Sequence, residues 1–145
     1  MKSILTIVML CLLPFGLLAQ SFQEGVSISP FSVRDQFEKN LSIDANTKEI
    51  IIAFAQEQGN VMKTFLEANP NYLSQNNAVY LMDATKVPSM VLSMFMLPKF
   101  KKYPYTIGVV EDEKMVATFP FQEGKLTVIT LENLTIKAIS FKDKW

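Results

Sequence analysis

Residues 49–67 read EIIIAFAQEQGNVMKTFLE, and the change of pattern within them decides the fold. Ile50, Ile51, Ile52, Ala53, Phe54 and Ala55 are apolar without a break and rich in β-branched side chains, the pattern of a strand covered on both faces of a sheet. Gln56 to Asn60 interrupt the run as a short polar loop, and Val61, Met62, Phe65 and Leu66 resume it at helical spacing. A buried strand feeding a helix N-terminus is where open α/β sheets hold their ligands, because free backbone N–H groups and the helix dipole converge there.

Outward from this unit, Asn69-Pro70-Asn71 ends the helix, since proline cannot continue it. Ala78 to Met82 form the next strand, closing on Asp83, and a strand–helix–strand unit of this length implies parallel pairing. Upstream, Phe31 to Phe37 alternate and are followed by Leu41 and Ile43, as in a short hairpin. Downstream, Val87 to Phe95 read as a helix with Pro88 in its first turn, and Leu97 to Pro104 as the loop after it. Tyr105–Val110 and Met115–Phe119 are expected to pair as a hairpin about the charged turn Glu111–Lys114. Gly124–Asn133 fits a helix and a hairpin arm equally, Leu134–Phe141 reads as a strand, and residues 141–145 as a frayed tail.

The central stretch resembles the thioredoxin-like superfamily, whose signature is an apolar strand ending in Phe-Trp-Ala, then Cys-x-x-Cys opening a helix, then often Lys. Phe54, Ala55 and Lys63 hold matching positions, while Gly59, Asn60, Val61 and Met62 stand where the cysteine motif would be. Ala53 takes the place of the buried acid and Gln58 that of the tryptophan. The Asp35-Gln36-Phe37 segment is similar to the opening of peroxiredoxin and related redoxin domains, with Glu38 in place of the usual glycine. The resemblance implies an α/β thioredoxin-like three-layer sandwich, a central mixed β-sheet flanked by helices. It also implies a cis-proline facing the reactive loop, and Pro104 lies at that place in the order of elements. With both cysteines missing, the oxidoreductase activity is not carried over. What the resemblance leaves is a groove for an extended peptide, with Gln56, Glu57, Gln58, Gly59, Asn60 and Val61 on one side and Tyr103, Pro104 and Tyr105 on the other. On this alignment, cysteines placed at Gly59 and Met62 would restore an oxidisable pair.

A chain of 145 residues suits one domain. Lys2, the apolar run Ile4–Leu18 and the small residue Ala19 read as a signal peptide over residues 1–19, followed by a flexible lead-in over 20–29 and the domain over 30–145. The apolar run is shorter than the roughly 20 residues that span a bilayer. Cys11, the one cysteine, lies inside it, and apolar residues continue past it to Leu18, so a lipid-modified start at Cys11 is not expected. The product outside the cytoplasm, periplasmic or secreted, is expected to begin near Gln20 without an acyl chain, which N-terminal sequencing checks. Removing Lys2 from the 14 basic residues leaves 13 against 14 acidic ones, with a single arginine, Arg34, which gives no footprint for nucleic acid. Histidine is absent, so the usual zinc ligand sets, Ser-His-Asp triads and Cys-His pairs are excluded, and no cofactor is expected.

Three weaker constellations remain. Met90, Met94 and Met96 would hold a soft ion such as Cu(I) if their thioethers converged, although methionine is also a common core filler. Glu57 and Asp83 are the carboxylates available to an enzyme acting without a thiol, although Asp83 is better suited to cap the following helix with Thr85. Lys99, Lys101 and Lys102 interleave with Phe100, Tyr103 and Tyr105 in a basic-aromatic segment suited to anionic surfaces or peptides, or simply to solvent. The expected function is a redox-inactive binding or assembly module with a peptide or protein partner in the cell envelope.

Overall fold

The computed structural model describes residues 21–145, so the segment read as a signal peptide and Cys11 lie outside the described residues. Seven strands form one mixed sheet: β1 (Phe31–Asp35), β2 (Asn40–Ile43), β3 (Glu49–Ala53), β4 (Ala78–Asp83), β5 (Gly108–Val110), β6 (Leu126–Glu132) and β7 (Thr135–Lys142), in the order β2-β1-β5-β4-β3-β6-β7. β3 lies inside the sheet, parallel to β4 and antiparallel to β6, with Ile51 opposite Tyr80 on one side and Val128 on the other. Its alternation explains the unbroken apolar run. Ile50 and Ile52 enter one core with Val79, Leu81 and Ile129, whereas Ile51 and Ala53 enter a second core on the opposite face with Tyr80 and Leu126. Helices flank both faces. α1 (Gln56–Ala68) lays Met62 and Leu66 on the second core, and α5 (Glu113–Val116) lays Met115 and Val116 on the first. The short α2 (Tyr72–Gln75), α3 (Ser89–Val91) and α4 (Leu97–Phe100) fall between them in the chain.

The N-terminal hairpin forms as the alternation implied, with Val33 opposite Leu41. Its turn places Glu38 at φ 62, where glycine is the unstrained residue, and the Asp35 carboxylate holds it by accepting from the N–H groups of Phe37 and Lys39 at 2.8 and 3.0 Å. Glu38→Gly is expected to stabilise the domain by about 0.5–1 kcal/mol, the strain relieved exceeding glycine's entropy cost, as measured by urea unfolding. Segment 21–29, read as a flexible lead-in, lies along β7: Gly25 N–H donates to Ile136 O at 2.8 Å, Ile136 N–H to Val26 O at 2.9 Å and Ile28 N–H to Leu134 O at 2.8 Å.

Two further sequence expectations are corrected and one open between helix and strand is decided. Met115–Phe119 is not a strand: Asp112 accepts from the N–H groups of Lys114 and Met115 and opens α5, and the strand that pairs with β5 on that side is β1. Gly124–Asn133 resolves as β6, joined to β7 through Asn133 and Leu134 at φ 50 and 65, the two left-handed residues of a tight hairpin turn. Leu134 accepts that conformation while packing on the first core. The tail is not frayed, because Trp145 packs against Phe65 and Tyr72 with ring centroids 5.4 and 5.8 Å apart.

Gly108 marks the tightest crossing. A Cβ there would lie 2.5 Å from Leu81 Cδ2 and 2.7 Å from Val33 Cγ2, and Leu81 is fully buried, so neither side chain has open space to enter. Gly108→Ala is expected to cost about 2 kcal/mol by overpacking, read as a lower denaturation midpoint.

Candidate functional site

The site expected from the sequence was a groove between the Gln56–Val61 segment and the backbone at Pro104. The sheet topology separates them. β5 runs parallel to β4, and β4 parallel to β3, so Pro104, which precedes β5, sits at the end of the sheet where β3 begins. Gln56 follows the other end. There is also no cis peptide among the described residues. Pro104 and Tyr105 instead line a separate cleft of about 530 Å³ together with Asp44, Thr47, Asn71 and Asn77, all from segments that precede or end near strand starts. Tyr103 stacks on Tyr105 at 5.3 Å and lies beneath the Lys63 ammonium, 5.5 Å from its ring, on the third turn of α1.

The Gln56–Val61 segment is not a loop. α1 begins at Gln56, after only Phe54 and Ala55, so all six residues belong to its first two turns. Gln56, Glu57 and Asn60 are exposed, Val61 and Gly59 half-buried, and Gln58 buried. Polar side chains on the outer face of a first turn have the composition of a loop, which hides the helix start. The motif position shifts with it. Met62, aligned above with the second cysteine, is fully buried in the core, while the two residues at the helix opening with the same spacing are Gln56 and Gly59.

What faces this helix opening comes from β6. Because β6 is antiparallel to β3, with Ile52 opposite Thr127, the segment Pro120–Lys125 reaches the end of β3 just where α1 starts. Phe121 packs edge-on against Phe54, centroids 5.0 Å apart, yet remains 56% exposed. Thr127 Oγ1 donates to Pro120 O at 2.7 Å and fixes the entry of this segment. Nothing in the local sequence marked Phe121, since its position depends on the strand direction of β6. Ala55 at the N-cap supplies no side-chain hydrogen bond, so the first N–H groups of α1 beside Phe121 have no side-chain cap. Ala55→Asp is expected to stabilise the fold by about 1 kcal/mol through that missing cap, measured by thermal and urea unfolding.

The remaining candidates separate. Asp83 Oδ1 accepts from Thr85 N–H at 2.9 Å and Thr85 Oγ1 at 2.6 Å and closes the turn after β4, not the helix cap expected of it, since the next helix begins at Ser89 behind Pro88 with no side-chain cap. Glu57 stands exposed on the first turn of α1. Met90 and Met94 point outward, 69% and 61% exposed, whereas Met96 packs toward the second core, so the three thioethers do not share a face. No group of three or more His, Cys, Asp or Glu side chains among the described residues is arranged to hold a metal ion.

Three tyrosines of the second core and the far end of the sheet are held neutral. Burial first, then the 2.9 Å hydrogen bond that Tyr72 Oη donates to Glu49 and the charge of that carboxylate, push Tyr72 up to about 12. Burial, reinforced by neighbouring phenols, pushes Tyr80 and Tyr105 well above the ordinary phenol value of 10.0. A raised folded pKa contributes stability that is complete below the unfolded pKa and is lost as pH rises through the folded one. Stability is therefore expected to hold to pH 10 and fall from there to pH 12 and above, with Tyr72→Phe flattening the first part of the fall in denaturant titrations.

No protein-family model matches the chain, and no curated protein matches its sequence. Its architecture does have solved counterparts. Peroxidoxin BcpB from Mycobacterium tuberculosis is 12% identical with a TM-score of 0.54, over 81% of this chain and 84% of its own. A candidate thioredoxin from Neisseria meningitidis is 16% identical with a TM-score of 0.56, over 83% and 82%. A peroxiredoxin-like protein from Aquifex aeolicus is 8% identical with a TM-score of 0.52, over 86% and 78%. At such identities the likeness establishes the architecture, and with the mixed sheet and its flanking helices it gives the chain a thioredoxin-like fold.

Proposed function

We propose that the protein is an exported thioredoxin-like domain that binds a peptide or protein of the cell envelope and carries out no thiol chemistry of its own. The observation that carries this reading is the opening of α1: uncapped backbone donors stand beside a largely exposed Phe121, and no cysteine lies in residues 21–145. Free N–H groups at a helix start accept a carbonyl or carboxylate of a bound chain, and an exposed aromatic ring supplies an apolar anchor. The binding surface is thus placed at Ala55, Gln56, Glu57, Asn60 and Phe121, with Pro104 assigned to the far cleft. The leader-like residues 1–19 support export to the periplasm or beyond.

Amide chemical-shift mapping with fractionated envelope peptides tests it. Shifts are expected at Gln56–Gly59 and around Phe121, and Phe121→Ala should weaken binding about tenfold, as loss of an aromatic anchor does. Absence of any shift, or shifts confined to the cleft at Pro104, would contradict the proposal.

A further inference from the structure

The helical stretch after β4 carries an apolar face that the domain does not cover. α3 (Ser89–Val91), the π-helical turn Leu92–Met96 and α4 (Leu97–Phe100) run on without a break, and Leu97 N–H donates to Leu92 O across the wide turn. Leu92 and Phe100 are buried in the second core, with Met96 and Leu97 half-buried against it. The same winding turns Met90, Val91, Met94 and Phe95 outward, Phe95 being 66% exposed. These four span about one and a half turns and protrude from a convex helix.

The charge along this stretch of chain has one sign. Between Ala84 and Val110 the chain has Lys86, Lys99, Lys101 and Lys102 and no acidic residue, although the whole sequence is balanced at 14 basic and 14 acidic residues. All four lysines are exposed, and none forms an ion pair among the described residues. A second copy of the chain meeting this face would bring four more cations against it, so self-association is opposed. A bilayer with anionic headgroups fits both features, because protruding apolar side chains enter the acyl boundary while lysines at the two ends of the helix meet phosphates.

We infer that the Met90–Phe95 face, flanked by Lys86 and Lys99–Lys102, docks the folded domain onto an anionic lipid surface. No described helix is long and apolar enough to cross a membrane, so the docking is peripheral. It uses residues other than those at the opening of α1, and the two readings fail separately because one is read on vesicles and the other on peptides.

The test is sedimentation of the purified protein with vesicles of phosphatidylglycerol and phosphatidylethanolamine, and with phosphatidylcholine vesicles. Binding is expected to the anionic vesicles alone and to fall steeply between 0.05 and 0.5 M salt, roughly the range over which screening shortens from over ten to a few ångströms. Replacing Lys86, Lys99, Lys101 and Lys102 by Gln should lower partitioning on the order of a hundredfold, each lysine near such a surface being worth several-fold. Met94→Ser with Phe95→Ser should abolish it, while Phe95→Trp should bind and shift its fluorescence to the blue. Any contribution of residues 1–20 is common to all variants. No binding to anionic vesicles, binding indifferent to both sets of substitutions, or an unshifted Phe95→Trp would overturn the inference. So would capture of the face by an acidic peptide with no vesicle binding, which would assign it to a protein partner.

Discussion

Gln36→Leu is expected to destabilise the domain by about 3–5 kcal/mol, the largest effect of any single substitution considered. Gln36 is fully buried just after β1, and its amide makes the contacts that hold the approach to β5. Nε2 donates to Tyr105 O at 2.8 Å and to Phe100 O at 3.4 Å, and Oε1 accepts from Ile107 N–H at 2.9 Å. Phe100 O keeps a second partner in Tyr103 N–H, but the substitution leaves the Tyr105 carbonyl and the Ile107 N–H without the side chain that satisfies them. Each such buried group costs about 1–3 kcal/mol when orphaned, and the whole domain is worth only about 5–15 kcal/mol. Urea unfolding should show the midpoint collapse with little change in slope. Gln36→Glu keeps the acceptor but places a carboxylate beside two carbonyls. It is therefore expected to be less stable at pH 7 than at pH 4, where protonation returns a donor. A loss under 1 kcal/mol for Gln36→Leu would mean that water replaces the amide and that the 100–107 segment is held by its aromatic packing alone.

This contact also shows what was legible in the sequence. Ile50–Ile52 announced a doubly covered strand, and Phe31–Ile43 a hairpin, because burial is written directly into the order of apolar residues. The segment around Gln36 was recognisable, but nothing local says that its amide binds a loop some 70 residues away. Two further positions depend on pairing in the same way. Pro104 fits the reactive end by its position in the order of elements, yet its location depends on β5 running parallel to β4, a property of pairing rather than of composition. Phe121 carries no local signal, because its place beside Phe54 depends on β6 returning antiparallel along β3. The start of α1 is hidden for a different reason: Gln56, Glu57 and Asn60 are polar because they face solvent, and Gly59 in that polar run sits within the helix, with only Tyr80 Oη at 3.8 Å from an added Cβ. By contrast, Asp112 followed by Glu113 is a readable N-cap signal for α5 that the strand-like run Met115–Phe119 obscured.

A gain of chemistry follows from the corrected helix start. Gln56→Cys with Gly59→Cys is expected to create an oxidisable pair across the first turn of α1, the place where thioredoxin-like domains carry theirs. Gln56 is exposed, and a Cβ added at position 59 meets only Tyr80 Oη, at 3.8 Å, an ordinary contact distance. Partial positive charge at the helix N-terminus lowers a thiol pKa and makes one sulfur the attacking group, while the second resolves the mixed disulfide. Cysteines at Gly59 and Met62 are expected to behave differently. Met62 is fully buried, so its replacement opens the core at a cost of about 2 kcal/mol, and the pair lies one turn deeper, away from the uncapped donors.

Thiol counting by mass spectrometry after mild oxidation, run beside an insulin-reduction assay, tests the central claim that this is a thioredoxin-like domain whose reactive end has lost its sulfur and kept its geometry. The account predicts no insulin reduction by the unaltered protein and an intramolecular disulfide in the folded Gln56→Cys, Gly59→Cys variant. Insulin reduction by the unaltered protein, or a folded variant whose two thiols stay free, would contradict it.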